Sequence, residues 1–299
     1  MIPLWAGAAL IGALAQTGRN ATQAGLTRAL GTIGATQVRF LFGLPFAILF
    51  LLGVAFATAE PVPSLTAATL GWTSLGGLAQ IAGTALMLQV MKSAAFGVTT
   101  AWLKIEPVMV ALIGALALGD PLTLPVLLAI GIAVLGVVIM TLKPGQGRAM
   151  FTDARPAGLG LLAGLFFGLA AIGFRGGILS LESGGFLIRA TVTLVLALAV
   201  QTSVLMVWML ARDRAALAGS FRVWRASLGA GFLGAFASEF WFIGFSLTSA
   251  ANVRTFALIE VIFAQIVARY WFAQKTSARQ LGGMGVIVLG VGVLLRLHA

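Results

Sequence analysis

The second part of this chain repeats the first. Residues 92–142 return as residues 248–297, with small, acidic and glycine residues in the same order. The matching landmarks are Ser93-Ala94-Ala95 with Ser249-Ala250-Ala251, Glu106 with Glu260, and Val134-Leu135-Gly136-Val137 with Val288-Leu289-Gly290-Val291. The offset is 156 residues at the first landmark and 154 at the others, so one two-residue gap aligns the copies. We therefore interpret the chain as one unit present twice.

The chain carries too little charge for a soluble protein. Of its 299 residues, 60% are hydrophobic and 9% are charged, whereas a soluble chain is roughly 25% charged. The net charge of +11 does not indicate nucleic-acid binding, because the basic residues lie mostly in short gaps between apolar runs. Membrane lipid is therefore the expected partner of most of the surface, and nucleic acid is not an expected partner.

Ten apolar runs are long enough for membrane-spanning helices, which need about 20 residues. They cover residues 2–18, 32–57, 66–91, 97–118, 122–142, 156–178, 185–210, 225–247, 250–272 and 280–297. Counting Arg225 at the start of the eighth run, the odd-numbered gaps hold 12 basic residues and the even-numbered gaps hold none. Because basic loops stay in the cytoplasm, we expect the odd-numbered gaps there and both termini in the periplasm. The predicted organisation is a first half at 1–145, a cytoplasmic linker at 146–155 and a second half at 156–299.

The number of spans in each half predicts an inverted repeat. Five is odd, so the second copy enters the membrane upside down relative to the first. Inverted-repeat transporters hold their substrate near the midplane, where the copies meet, and one copy moves against the other. The predicted fold class is an all-α integral membrane protein with ten transmembrane helices in two inverted five-helix repeats.

Short features within 92–142 indicate a family. They are the small-residue entry Ser93-Ala94-Ala95, Pro107, the turn Gly119-Asp120, Gly131 and Gly136. This pattern resembles the second half of an EamA domain, the unit of the drug/metabolite transporter superfamily. The family turn usually carries Glu where this chain has Asp, and the second copy has Val261 for the proline and Ala273-Gln274 for the turn.

The resemblance implies a bacterial inner-membrane exporter of small metabolites that works by alternating access. Within the superfamily the chain looks most similar to the YddG-type exporters of aromatic amino acids. We accordingly expect a transporter rather than an enzyme, with a small-molecule substrate, no cofactor and no metal, acting as a monomer in lipid.

Three charged residues are predicted near the midplane, where such groups are expensive and usually functional. Glu106 lies about nine residues into its span, roughly 14 Å at 1.5 Å per residue, and Glu260 is its equivalent in the second copy. The two glutamates either line a substrate pathway or form structural pairs with hydroxyls or basic groups. Lys104 is two residues from Glu106, so it does not share its helix face. It either meets a partner on another helix or faces the cavity.

Further candidate substrate-binding residues accompany this group. Glu239 lies midway along the eighth span beside Trp241, a pair that suits an aromatic, ammonium-bearing ligand through charge pairing and cation–π contact. The alternative is a buried carboxylate with Trp241 facing lipid. Gln80 either orients a ligand or bonds a neighbouring helix, Trp102 is placed one helical turn before Glu106, and Asn252 begins the ninth span as a ligand contact or a cap.

Other classes of function remain open at this point. The exporter's cargo is an aromatic amino acid, another metabolite or a cationic drug. An intramembrane lipid-modifying enzyme usually needs an Asp cluster or a histidine dyad, yet the chain has no cysteine and its only histidine is His298. A passive pore is the third alternative, and saturable counter-transport distinguishes a carrier from it.

Overall fold

The computed structural model describes residues 3–91, 101–142, 154–271 and 276–298. Regular structure in these ranges is helical throughout, with no strand. The predicted linker, apart from its last two residues, and the small-residue entry Ser93-Ala94-Ala95 lie outside the described residues. The same holds for Ala273-Gln274.

Twelve α-helices make up the described ranges, with one 3₁₀ turn. They are α1 (Leu4–Leu41), α2 (Leu44–Thr58), α3 (Ala67–Met91), α4 (Glu106–Leu118), α5 (Leu124–Thr141), α6 (Ala154–Leu179), α7 (Phe186–Arg212), α8 (Arg214–Arg222), α9 (Trp224–Leu247), α10 (Ala250–Phe256), α11 (Glu260–Trp271) and α12 (Ala278–Arg296), with the 3₁₀ turn Ala257–Ile259 between α10 and α11.

Eight stretches of the described chain are long and apolar enough to cross a membrane. They are Ile33–Thr58, Ala101–Leu118, Leu124–Thr141, Ala157–Leu179, Phe186–Arg212, Trp224–Leu247, Ala250–Tyr270 and Ala278–Arg296. Large apolar side chains are exposed along them, for example Phe56 at 91% and Leu116 at 90%. Such surface is stable against lipid and not against water. The prediction of an all-helical, multi-pass membrane protein is therefore confirmed.

The expected count of ten spans is not reached in the described residues. The predicted spans 2–18 and 66–91 are helical, within α1 and α3, but neither is among the eight apolar stretches. Both predicted spans include positions whose placement or side chains the structure does not describe, so their crossing of the membrane stays a prediction.

Two gaps that sequence patterning predicts as connections are helical instead. The gap after the first predicted span, residues 19–31, belongs to α1, which departs from helical geometry only at Gly31 (φ 70°, ψ 178°). The basic gap after residue 210 contains α8, whose N-terminus is capped by Asp213 accepting the backbone N–H of Ala216. Alanine, leucine and arginine occur in both gaps and have high helix propensity, so a polar composition there does not by itself imply a loop.

The structure divides into two compact units, each drawn from both halves of the sequence. Unit 1 is Met1–Leu10, Ala82–Ile172 and Thr248–Ala299, and unit 2 is Ile11–Ile81 and Gly173–Leu247. The division predicted at residues 145–156 describes the duplication in the sequence, and that duplication remains a prediction. The compact units follow a different division.

In unit 1, helices α5 and α12 approach closely through repeat-equivalent residues. A Cβ atom on Gly136 would lie 2.6 Å from the backbone nitrogen of Ile287, and one on Gly290 would lie 2.5 Å from that of Ala133. Gly136 and Gly290 are equivalent at the offset of 154, and so are Ala133 and Ile287. The same contact is therefore made twice: each time a glycine of one predicted copy lies against the backbone of the other. A side chain at either glycine would clash with that backbone, so only glycine permits the contact.

Candidate functional site

Glu106 is placed at the start of a helix that begins inside its predicted span. The segment is helical at residues 101–103, turns at 104–105, and resumes as α4 with Glu106 in its first turn. Pro107 explains the interruption, because it lacks an N–H and its ring would clash with the carbonyl of Leu103 in a continuous helix. The N-terminus of α4 also favours a negative side chain.

Glu260 occupies the corresponding place in the second copy. Helix α10 ends at Phe256, a 3₁₀ turn covers Ala257–Ile259, and α11 begins at Glu260. Val261 stands where the first copy has Pro107, so the backbone N–H is retained and the interruption is milder. Sequence patterning predicts both spans as continuous, whereas each has a break immediately before its glutamate.

Arg254 of α10 forms a two-pronged ion pair with Glu106. Its Nε donates to Oε1 of Glu106 at 2.6 Å and its Nη2 donates to Oε2 at 2.9 Å. The glutamate side chain is 4% exposed and the arginine side chain 19%. A planar guanidinium that meets both carboxylate oxygens is a strong and orientation-specific arrangement. Arg254 is thus a site residue that is absent from the candidates predicted from the sequence.

Lys104 and Glu260 make the second ion pair of unit 1. Nζ of Lys104 donates to Oε1 of Glu260 at 2.6 Å, and each side chain is 16% exposed. Of the two interpretations of Lys104, a partner on another helix is therefore the one that the structure shows. Each glutamate takes its basic partner from the other copy of the repeat, and the four charges cancel.

The turn at residues 104–105 separates Trp102 from Glu106, so their spacing alone does not place both on one face, and a shared face stays a prediction. Trp102 is partly buried and packs against the cluster of Ala101 and Leu142.

Asn252 of α10 is buried at 5% exposure, and its Nδ2 donates to Oγ1 of Thr248 at 2.9 Å. It also lies 2.9 Å from Nε2 of His298. The structure thus gives Asn252 local partners, and its role toward a ligand stays a prediction.

In unit 2, Glu239 lies on α9 with 7% exposure. Its Oε1 is 2.5 Å from the hydroxyl of Thr191 on α7. Its Oε2 is buried and has no hydrogen-bond partner among the described residues. Thr191 is absent from the sequence-derived candidates, since a threonine in an apolar span gives no signal without the knowledge of what it faces.

Trp241 is buried, at 6% exposure, and does not face lipid. Its Nε1 donates to Oε1 of Gln16 at 3.2 Å, and a Cβ atom on Gly12 would lie 3.1 Å from its ring. Trp241 therefore packs on α1, whereas Glu239 bonds to α7. The hydrogen bonds of the two side chains thus lead to different helices, and joint recognition of one ligand stays a prediction.

Gln80 of α3 bonds a neighbouring helix. Nε2 of Gln201 donates to Oε1 of Gln80 at 2.7 Å, and Gln201 is 1% exposed. Of the two interpretations of Gln80, the hydrogen bond to a neighbouring helix is therefore the one that the structure shows. A ligand contact by the same amide stays a prediction.

Comparison with known proteins informs the fold. No family model and no curated protein matches the chain. The chain is similar to a solved structure described as "Crystal structure of protein", with a TM-score of 0.70 and 14% identity over 97% of this chain and 98% of that one. At this identity the similarity extends to the fold alone, and it covers nearly the whole of both chains.

Proposed function

We propose that the protein is a secondary carrier of the bacterial inner membrane that exports small metabolites by alternating access. The observation that supports it best is the pair of interrupted helices in unit 1, each beginning again at a glutamate in an equivalent sequence position. Interrupted helices at membrane depth occur where the backbone is buried in protein or lines a cavity. In transporters with inverted repeats they form the site of substrate and coupling ion.

The two ion pairs suit a carrier whose cargo bears both charges. The charges of the two ion pairs sum to zero; the four residues are Lys104, Glu106, Arg254 and Glu260. The group is therefore stable in an apolar setting only while each charge keeps its partner. An amino acid brings one ammonium and one carboxylate. Its ammonium replaces Arg254 or Lys104 at a glutamate, and its carboxylate takes the released basic group. After the exchange, every charge of the four residues and of the substrate has a partner of opposite sign.

Amino acids are therefore the proposed substrate class, with aromatic ones favoured by the family resemblance. Other zwitterionic metabolites fit the same exchange. A cationic drug fits less well, because it would pair with one glutamate and leave a basic side chain uncompensated.

The test is flux through purified protein in liposomes. Radiolabelled phenylalanine, tryptophan, lysine and tetraphenylphosphonium are loaded separately, and counterflow against unlabelled compound is measured. We expect saturable counterflow of at least one zwitterion, and its loss in Glu106→Gln. Glu182→Gln is the matched control, since Glu182 is an exposed carboxylate.

If none of the probes shows counterflow, the proposal is contradicted. Unsaturable flux without counterflow would identify a pore. Counterflow that Glu106→Gln leaves intact would place the substrate away from the ion pairs.

A further inference from the structure

We propose that Glu239 and Thr191 form a proton-binding site, and that the proton is the ion this carrier exchanges against its substrate. The exchange of the proton against substrate rests on the proposed transport function, whereas the proton-binding site does not.

The hydroxyl of Thr191 has two acceptors within reach. Its Oγ1 lies 2.9 Å from the carbonyl oxygen of Leu187, one turn earlier on α7, and 2.5 Å from Oε1 of Glu239. A hydroxyl carries one hydrogen and so donates to only one of them. With ionised Glu239, the hydroxyl donates to the carboxylate, and the carbonyl of Leu187 loses the hydrogen bond from this side chain.

The second arrangement needs one additional proton. A proton from water binds Oε1 of Glu239, and the new O–H donates to Oγ1 of Thr191. The hydrogen of Thr191 then turns to the carbonyl of Leu187. Every short contact is now a hydrogen bond, and the reverse rotation releases the proton. No other bond forms or breaks, so Glu239 and Thr191 together hold one exchangeable proton.

The surroundings give the ionised carboxylate no cation. Among the described residues Glu239 has no ion pair, and its only hydrogen-bond partner is Thr191. On α7, Nη1 of Arg189 donates to the carbonyl of Leu181, and on α6, Nη1 of Arg175 donates to that of Phe245. Helix α2 carries no titratable residue.

The other charged groups of unit 2 lie along or beyond the same helices. The stems of Arg19 and Arg39 of α1 lie against Gly234, five residues before Glu239 on α9. The remaining ones described are Arg212, Arg214, Arg222 and Arg225 in or beside α8, Asp213 as the cap of α8, Glu60 accepting from the backbone N–H of Gly185, and exposed Glu182. A buried carboxylate with this environment changes its charge by binding a proton, since it has no basic side chain to exchange.

The first experiment detects the proton without requiring transport. Infrared difference spectra of the purified protein are recorded between high and low pH, and the carbonyl stretch of a protonated carboxyl group is followed. We expect a titrating band in wild type and in Glu182→Gln that is lost in Glu239→Gln. A band unchanged in Glu239→Gln overturns the proposal.

Thr191 variants supply a second readout of the same site. Thr191→Ser keeps the hydroxyl and is expected to keep the band at its wild-type frequency. Thr191→Val removes the acceptor, so the band is expected to shift. An unshifted band in Thr191→Val overturns the pairing of the two residues. Thr and Val have nearly the same bulk and differ in the hydroxyl, and size-exclusion profiles of both variants identify a folding defect.

The second experiment tests coupling in liposomes, using phenylalanine or whichever probe shows counterflow. A pH gradient is expected to drive accumulation in wild type, and a trapped pH dye is expected to report proton movement on substrate addition. Glu239→Gln is expected to lose both, whereas the control Glu182→Gln is expected to keep both. Wild-type counterflow without proton movement overturns this inference and leaves the proposed function standing. Absence of all counterflow overturns both.

Discussion

The buried carboxylates of the two units differ in what balances their charge. In unit 1, Glu106 has Arg254 and Glu260 has Lys104, at distances of 2.6 Å. In unit 2, Glu239 has a hydroxyl in place of a cation, at 2.5 Å. A carboxylate with a basic partner is neutral as a pair, and it exchanges that partner for another ion. A carboxylate with only a hydroxyl becomes neutral by taking up a proton. In the proposed carrier, this difference would assign recognition of a charged cargo to unit 1 and exchange of a proton to unit 2.

The largest expected effect follows from removing the cation of the more buried pair. Arg254→Met leaves Glu106 without compensation at 4% side-chain exposure, which costs about 3–5 kcal/mol. Thermal unfolding in detergent measures it. Arg269→Met is the control, because Arg269 of α11 is exposed. Adding Glu106→Gln to Arg254→Met is expected to recover part of the loss, and equal stability of Arg254→Met and wild type would contradict the ion pair.

Reversing the second pair has a smaller effect, because both partners are 16% exposed. Lys104→Glu places two carboxylates together and loses a charged hydrogen bond worth about 1.5–3 kcal/mol. The double exchange Lys104→Glu with Glu260→Lys restores an ion pair in the opposite sense. We expect it to recover most of the stability, measured in the same unfolding assay. A double variant no better than Lys104→Glu would show that the contact does not contribute.

Removing the hydroxyl in unit 2 isolates the neutral partner. Thr191→Val leaves Glu239 without its hydrogen bond, at a cost of about 1–3 kcal/mol for a buried polar group. Thr193→Val is the matched control, since that hydroxyl donates only to the carbonyl of Arg189 in its own helix. Unfolding midpoints of the two variants are compared. Equal midpoints would show that Thr191 supports its helix and not Glu239.

The smallest effect concerns the aromatic residue that is near Glu239 in sequence but bonded elsewhere. Trp241→Phe removes the N–H that donates to Gln16, a hydrogen bond worth about 0.5–1.5 kcal/mol. Because Trp241 packs on α1, we expect stability to fall slightly and proton-driven accumulation to persist. Loss of accumulation with unchanged stability would return Trp241 to the same site as Glu239.

Much of the architecture is predictable from the sequence, for identifiable reasons. Apolar runs separated by short polar gaps specify membrane helices, and landmarks at an offset of 154 predict that Glu106 and Glu260 are equivalent. Pro107 is a sequence signal for one helix break, although the patterning predicts both spans as continuous. The break before Glu260 has no proline, so only the structure shows it.

The pairing of charges lies beyond sequence patterns. Arg254 and Glu106 are 148 residues apart, and no local spacing links them. The sequence also gives no signal for the contact of the Thr191 hydroxyl with Glu239, because threonines are common in membrane helices. Residues 19–31 show a different error: their polar composition predicts a connection between spans, whereas the structure has a helix there.

The glycine contacts between α5 and α12 have a mechanical consequence. Two backbones that touch at reciprocal points, Gly136 on Ile287 and Gly290 on Ala133, have no side-chain layer along which to slide. If the protein is the proposed carrier, we expect that helix pair to keep its geometry while substrate is moved. Any rearrangement within unit 1 then falls to the segments with incomplete hydrogen-bond ladders, the turn before α4 and the 3₁₀ turn before α11. Those are the same two places where the glutamates meet their basic partners, so breaking an ion pair and bending a helix become one event.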